Sequence, residues 1–180
     1  LFNKNKRLFR MGVFCLTGFA ALHVYENIQL GQQKKMVIYN VSKYRAVDFI
    51  VAGKHVFEGD SILKEEGLLK NFHLKPARIA MQVALSETEL PALKNKNIYW
   101  QFFNKKMIVI DSLLLFEPRD SILPVDVLLI SHNASIKIKD VVMAIKPAVV
   151  VFDASNSLWK IDGWKKECEE LLLRSHSVAE

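Results

Sequence analysis

Apolar and polar positions divide this chain into three regimes. Leu8 to Tyr25 (LFRMGVFCLTGFAALHVY) is apolar except for Arg10, Thr17 and His23, which predicts one long apolar helix. Counted from Met11 it would reach about 22 Å, and counted from Leu8, with Arg10 snorkelling outward, about 27 Å, against a hydrocarbon core of roughly 30 Å. A membrane-crossing helix over residues 1–26 fits that length better than a buried helix, and no small-x-small site marks a cleaved signal. Residues 27–35 (NIQLGQQKK) read as a polar linker. From Met36 the period changes to two.

Met36–Val41, Ala46–Val51 and His55–Phe57 read as three strands, the last two joined by a tight Ala52-Gly53-Lys54 turn. Glu58-Gly59-Asp60-Ser61 ends the third. SILKEEGLLKNF has helical spacing with Ser61 as N-cap, Pro76 restarts extended structure, and Ala77–Leu85 alternates as a strand. Residues 87–97 read as loop. Ile98–Phe103 and Met107–Ile110 flank Asn104-Lys105-Lys106 as a hairpin. Val125–Ile130 is a continuous apolar run, the pattern of a strand covered on both faces. A helix over Ile136–Ile145 and a second buried strand, Ala148–Phe152, complete a right-handed β-α-β unit. The last helix, Ile161 to about Arg174, turns Trp164, Cys168, Leu171 and Leu172 inward, and SHSVAE runs off as though a further strand had been cut away. The class is α/β (α+β), a mixed sheet flanked by helices.

Charge refines this picture. The net charge is +6, yet residues 1–45 hold eight Lys/Arg against Glu26 alone, and the remainder holds 17 basic against 18 acidic residues. A body that gripped phosphates by charge alone would carry the excess itself, so composition argues against strong nucleic-acid binding by the globular part. Basic residues before the apolar helix place its start in the cytoplasm and the body outside it. Cys15 and Cys168 are isolated and suggest neither a disulfide nor zinc.

Candidate chemistry sits where buried strands stop, since ligands bind at such ends in α/β sheets. Ser131, His132, Asn133 and Ser135 follow Ile130, and Ser155 and Asn156 follow Phe152. Ser and Asn there are also ordinary turn and cap residues. His23, His55, His73, His132 and His176 are scattered, with no paired ligand motif, so a metal site would need an unconventional set such as Asp60, His73 and His132. No glycine-rich phosphate loop is present, and no nucleotide or other cofactor is expected. Tyr99, Trp100, Phe102 and Phe103 beside Lys105 and Lys106 read as sheet packing, with a base-stacking platform as the alternative.

The order VDVLLISHNAS, helix, KPAVVVFDASN, helix over Val125–Leu172 resembles the C-terminal domain of ComEC-type DNA-uptake channel proteins, a metallo-β-lactamase-like domain that follows membrane helices. MVIYNVSKYRAVDFI resembles that family's opening strand pair, and Phe57-Glu58-Gly59-Asp60 its Gly-Asp strand end. The family's H-x-H-x-D-H loop is missing here. Asn133 and Ala134 stand where it has His and Gly, and Trp159-Lys160-Ile161-Asp162 where it has Gly-His-Pro. The resemblance therefore implies a degenerate metallo-β-lactamase-like domain over 36–180, truncated at its C-terminus and part of a longer chain, with Asp60 and His132 as relics of the ligand set and no metal. It implies a non-catalytic role, bracing or guiding DNA at an uptake channel of the inner membrane, on the periplasmic side. The membrane part of the same polypeptide would be its partner. Single-stranded DNA would be contacted through Lys105, Lys106, Lys137 and Lys139 beside the strand-end groups. A metal-dependent nuclease and a protein-interaction module are the competing readings.

Overall fold

The computed structural model describes residues 6–83, 85–87, 89–113 and 122–179. Helix α1, Lys6–Gly31, is 26 residues long, long and apolar enough to cross a membrane, and buries none of its residues. It continues through most of the stretch expected to be linker, because Asn27–Leu30 carries no helix breaker before Gly31.

Strands β1 (Lys34–Ile38), β2 (Ala46–Val51), β3 (Lys54–Gly59) and β4 (Leu85–Ser86) form one sheet in that order, antiparallel until β4 joins parallel to β3. Strands β5 (Leu93–Lys96), β6 (Tyr99–Phe102), β7 (Lys105–Ile110), β8 (Leu123–Ile130), β9 (Ile145–Phe152) and β10 (Ser175–Ser177) form a second, ordered β10-β9-β8-β7-β6-β5. Its β7 to β10 half is parallel and its β5–β6–β7 edge antiparallel. The terminal SHSVAE, read as a tail from which a strand had been cut away, itself supplies β10, parallel to β9.

Alternation along the strands sorts side chains into layers. Val47 and Phe49 meet Trp100, Phe102, Met107, Val109, Leu129 and Val151 between the sheets, with Phe49 stacked on Trp100 at 5.5 Å between ring centroids. Ile108, Ile110, Leu128, Ile130, Val150 and Phe152 face the other way, against Ile138 and Val141 of helix α3 (Ile138–Val141) and Ile161, Trp164 and Cys168 of helix α4 (Leu158–Glu170). Tyr39, Val41 and Ala46 pack with Leu63 and Leu74 on the outer side of the small sheet. The result is helix, sheet, sheet, helix, the metallo-β-lactamase-like layering that the resemblance implies.

Several elements differ from expectation. The strand expected over Ala77–Leu85 does not form at its start. Lys75–Ala80 is helix α2, continuing a π turn over Lys70–Leu74. Pro76 sits in its first turn, where a missing N–H costs nothing, and Arg78 is held inward by Asp48. Only Ser61–Leu63, a 3₁₀ turn after Asp60, remains of the helix start expected at Ser61. The helix expected over Ile136–Ile145 shrinks to α3, and β9 begins at Ile145, running through Pro147. That stretch has β8 as its sole partner, since β10 pairs only Val150–Phe152, and proline is tolerated there. Helix α4 starts at Leu158 and ends at Glu170, so Leu171 and Leu172 point outward, Leu172 at 94% exposure. Leu93–Lys96, expected as loop, forms the edge strand β5.

Candidate functional site

Parallel β7, β8 and β9 end at one side of the large sheet, opposite the start of β2 and the end of β3. Asp111, Ser131, Asp153, Arg45 and Asp60 are therefore brought to one crevice. A Cβ at Gly59 would collide with the Arg45 carbonyl oxygen, so glycine is what lets the end of β3 close on β2. Asp60 Oδ2 then accepts the Arg45 backbone N–H at 2.9 Å and lies 3.1 Å from His132 Nε2, bridging the two sheets. The pairing of Asp60 and His132, two residues 72 positions apart, is the part of the expected set that the structure assembles.

The β8 and β9 ends are stitched to each other. Asp153 is fully buried, and Ser131 Oγ donates to its Oδ2 at 2.5 Å. The Ser155 hydroxyl and backbone N–H both donate to Asp153 Oδ1, the latter at 3.0 Å, and Asn156 Nδ2 reaches the same oxygen at 3.1 Å. Ser155 Oγ in turn accepts the His132 N–H at 2.6 Å, and Asn156 Oδ1 accepts the Asn133 N–H at 2.9 Å. These bonds hold His132 and Asn133 at φ 52° and 53°, a left-handed pair that turns the chain out of the strand. Asn133 Oδ1 accepts from Ser157 N and Oγ, both at 2.8 Å, and Lys160 Nζ donates to the Asn133 carbonyl at 2.5 Å, which fixes the start of α4. All Asp153 donors are neutral. Burial pushes its carboxyl above the usual carboxylate range, and the hydrogen bonds from Ser131 and Ser155 offset this only in part.

The fold family's metal does not fit these residues. Asp60 and His132 are the donors that converge; of the other carboxylates of the crevice, Asp153 is taken up by Ser131, Ser155 and Asn156, and Asp111 takes the Arg45 guanidinium at 2.6 Å, with Glu58 at 3.7 Å from the same side chain. Arg45 Nε is buried without a partner. Among the described residues no three His, Cys, Asp or Glu side chains group as a metal site, and His73 lies apart, in the π turn before α2. Two converging ligands beside a fixed guanidinium fall short of the three protein ligands of a catalytic zinc site.

Other expected residues fall elsewhere. Ser135 is exposed outside the stitched cluster. Lys137 and Lys139 are exposed around the start of α3. Lys105 and Lys106 begin β7 and so lie at the opposite end of the sheet from Ser131, where Asp126 Oδ1 accepts from Lys105 Nζ at 2.7 Å and Asp126 Oδ2 from the Lys106 N–H at 2.9 Å. Trp100 and Phe102 are core, at 7% and 6% exposure, which removes them from any stacking platform. Asp153, Asp111, Arg45 and Lys160 were missed by pattern reading. The signal was available, since Asp60, Asp111 and Asp153 each follow directly on a strand.

A second polar cluster also escaped the sequence reading. Asp48, fully buried on the outer face of β2, accepts from Tyr39 Oη at 2.6 Å and from Arg78 Nε and Nη2 at 2.7 and 3.0 Å, with His55 Nδ1 at 2.9 Å.

Residues 36–180 match the family described as the ComEC C-terminal domain. No curated protein and no solved structure matches the chain. The match covers both sheets and every strand-end group of the crevice, and the chain belongs to the ComEC C-terminal domain family, that of ComEC-like DNA-uptake proteins.

Proposed function

We propose that this domain is a non-catalytic brace on the periplasmic side of the inner membrane that guides single-stranded DNA at the mouth of a ComEC-like uptake channel. One observation carries the reading: the polar groups at the strand ends are spent on one another, and a guanidinium occupies the carboxylates beside them. A hydrolytic centre keeps open positions for water and substrate. The DNA contact is assigned to His132 at the crevice and to the exposed Lys137 and Lys139 around the start of α3, with Trp159, 71% exposed one residue before the Lys160 that bonds Asn133, as the aromatic. Lys105 and Lys106 face the other end and are left out of the contact.

The test uses the full chain in neutral detergent. Trp100 and Trp164 are buried and Trp159 is exposed, so Trp159 fluorescence reports a strand stacking at the crevice. Oligo-dT quenches it with an affinity that falls as salt rises, no cleavage appears with added manganese or zinc, and His132→Ala changes stability by no more than about 1 kcal/mol. Metal-dependent cleavage that is lost in His132→Ala establishes the nuclease reading instead. Absence of any oligo-dT effect at low salt removes the DNA-guiding role.

A further inference from the structure

The end of the molecule opposite the crevice is where α1 enters. Gln33 ties the junction: its carbonyl accepts the Ala52 N–H at 3.0 Å, its Oε1 the Gly53 N–H at 3.2 Å, and its Nε2 donates to the Met81 carbonyl at 2.8 Å. Beside it lies a cavity of about 470 Å³ lined by Lys34, Met36, Phe102, Phe103, Asn104 and Lys105. Its floor is apolar, and its rim carries two ammonium groups. Lys34 Nζ sits 4.6 Å from the centroid of the Phe103 ring, and Lys105 is 59% exposed although Asp126 is its partner.

The position of this cavity along α1 identifies its occupant. If Tyr25 marks the end of the apolar stretch, Gly31 stands about 9 Å further along the axis. The headgroup layer adds roughly 5–8 Å to each side of the hydrocarbon, and a lysine side chain reaches across the remainder. Gly31 thus stands at the outer edge of the headgroup layer, and Lys34 and Lys105 reach back from beyond it toward phosphate level, with the Phe103 ring beside Lys34. Lys35 and Lys106 add charge of the same sign, against Asp126 at the β7 start and Glu26, which lines the neighbouring cavity with Lys34 and Lys35. A volume of this size suits one phospholipid headgroup rather than a bare anion.

We propose that this groove at the foot of α1 binds one anionic phospholipid of the bilayer that α1 crosses, and so fixes the domain's tilt with the crevice turned away from the lipid. The proposal rests on α1 spanning a membrane and is independent of DNA guidance. The full chain in neutral detergent is titrated with phosphatidylglycerol, phosphatidylcholine or inorganic phosphate, and retained lipid is counted by native mass spectrometry while the unfolding temperature is followed. One phosphatidylglycerol is retained and raises the unfolding temperature, the other two additives do neither, and Lys34→Gln/Lys105→Gln weakens the lipid about tenfold while Lys146→Gln does not. Should the double variant misfold by circular dichroism, Asn104→Glu, in the exposed turn, produces the same loss through charge alone. Equal retention of phosphatidylcholine, an equal effect of inorganic phosphate, or an unchanged affinity in the folded variants overturns the assignment. Oligo-dT quenching of Trp159 persists in the groove variants, so the two readings fail separately.

Discussion

Asp48 and Asp153 are both fully buried, one in each sheet, and they have been given opposite solutions. Around Asp48 the donors include a guanidinium and an imidazole. Burial works against its charge, but hydrogen bonds from His55, Arg78 and Tyr39 outweigh it and hold the carboxyl below the ordinary range. The same arrangement pushes the Tyr39 hydroxyl up, through burial first and then its bond to Asp48. Around Asp153 every hydrogen bond comes from a hydroxyl, an amide or a backbone N–H, and burial wins. Asp48 is an ion pair that clamps α2 to the small sheet. Asp153, its carboxyl raised by burial, knots two strand ends together through neutral donors.

The comparison breaks most visibly at Arg78. Replacing it with Met keeps much of its length and removes the charge, leaving Asp48 buried without its cation. The expected cost is about 3–5 kcal/mol, the usual penalty for orphaning one member of a buried pair. For a chain of this size that lowers the unfolding temperature by roughly 2–4 °C per kcal/mol, readable by calorimetry. A loss under about 1 kcal/mol would mean that His55 and Tyr39 alone carry the Asp48 charge, and the contrast with Asp153 would largely vanish.

How much of this was legible in the sequence depends on range. Period-two runs located β1 to β3, the hairpin pattern β6 and β7, and continuous apolar runs β8 and most of β9, because such patterns are local properties that survive folding. The stretch from Ala77 to Leu85 failed because its alternation is a by-product. Arg78 is turned inward by a carboxylate 30 residues away, and no local pattern encodes that partner. At the crevice, the turn residues Ser131, His132, Asn133, Ser155 and Asn156 were visible as residue types. Their mutual bonding was not, since it joins positions 23 to 26 residues apart across a parallel strand pair. Asp153 was passed over as punctuation, although it directly follows the apolar run AVVVF and is itself fully buried.

A smaller effect tests whether the Asp153 knot positions anything beyond itself. Asn133 contributes its side-chain oxygen to Ser157 at the start of α4 and tolerates φ 53° better than most residues. Asn133→Ala removes that acceptor and adds strain, for an expected loss of about 1–2 kcal/mol. Hydrogen exchange at the first turn of α4 quickens while β8 and β9 stay protected. Unchanged protection at Ser157–Ile161 would show that Lys160 fixes α4 unaided.

The smallest change is also the sharpest. In Asp153→Asn, Oδ1 keeps the donors Ser155 and Asn156, and the new amide donates to Ser131 Oγ as the OH of a protonated carboxyl would. Near pH 4 the variant therefore matches the wild type to within about 1 kcal/mol. The two differ as pH rises. A carboxyl raised above its ordinary 3.8 contributes stability in full below 3.8, and the contribution is lost as pH climbs through its folded value. The wild type then weakens relative to the variant, by at most about 1.4 kcal/mol per pH unit for one proton. Asp48 works in the other direction, supporting the fold above 3.8 and failing as pH falls through its lowered value, but it is present in both proteins and cancels from the difference. Urea unfolding of both chains from pH 4 to 8 isolates Asp153. A difference that stays flat would place it at an ordinary pKa. One that grows in favour of the wild type as pH rises would mean that the carboxylate is the form the knot selects, and that the two aspartates are alike after all.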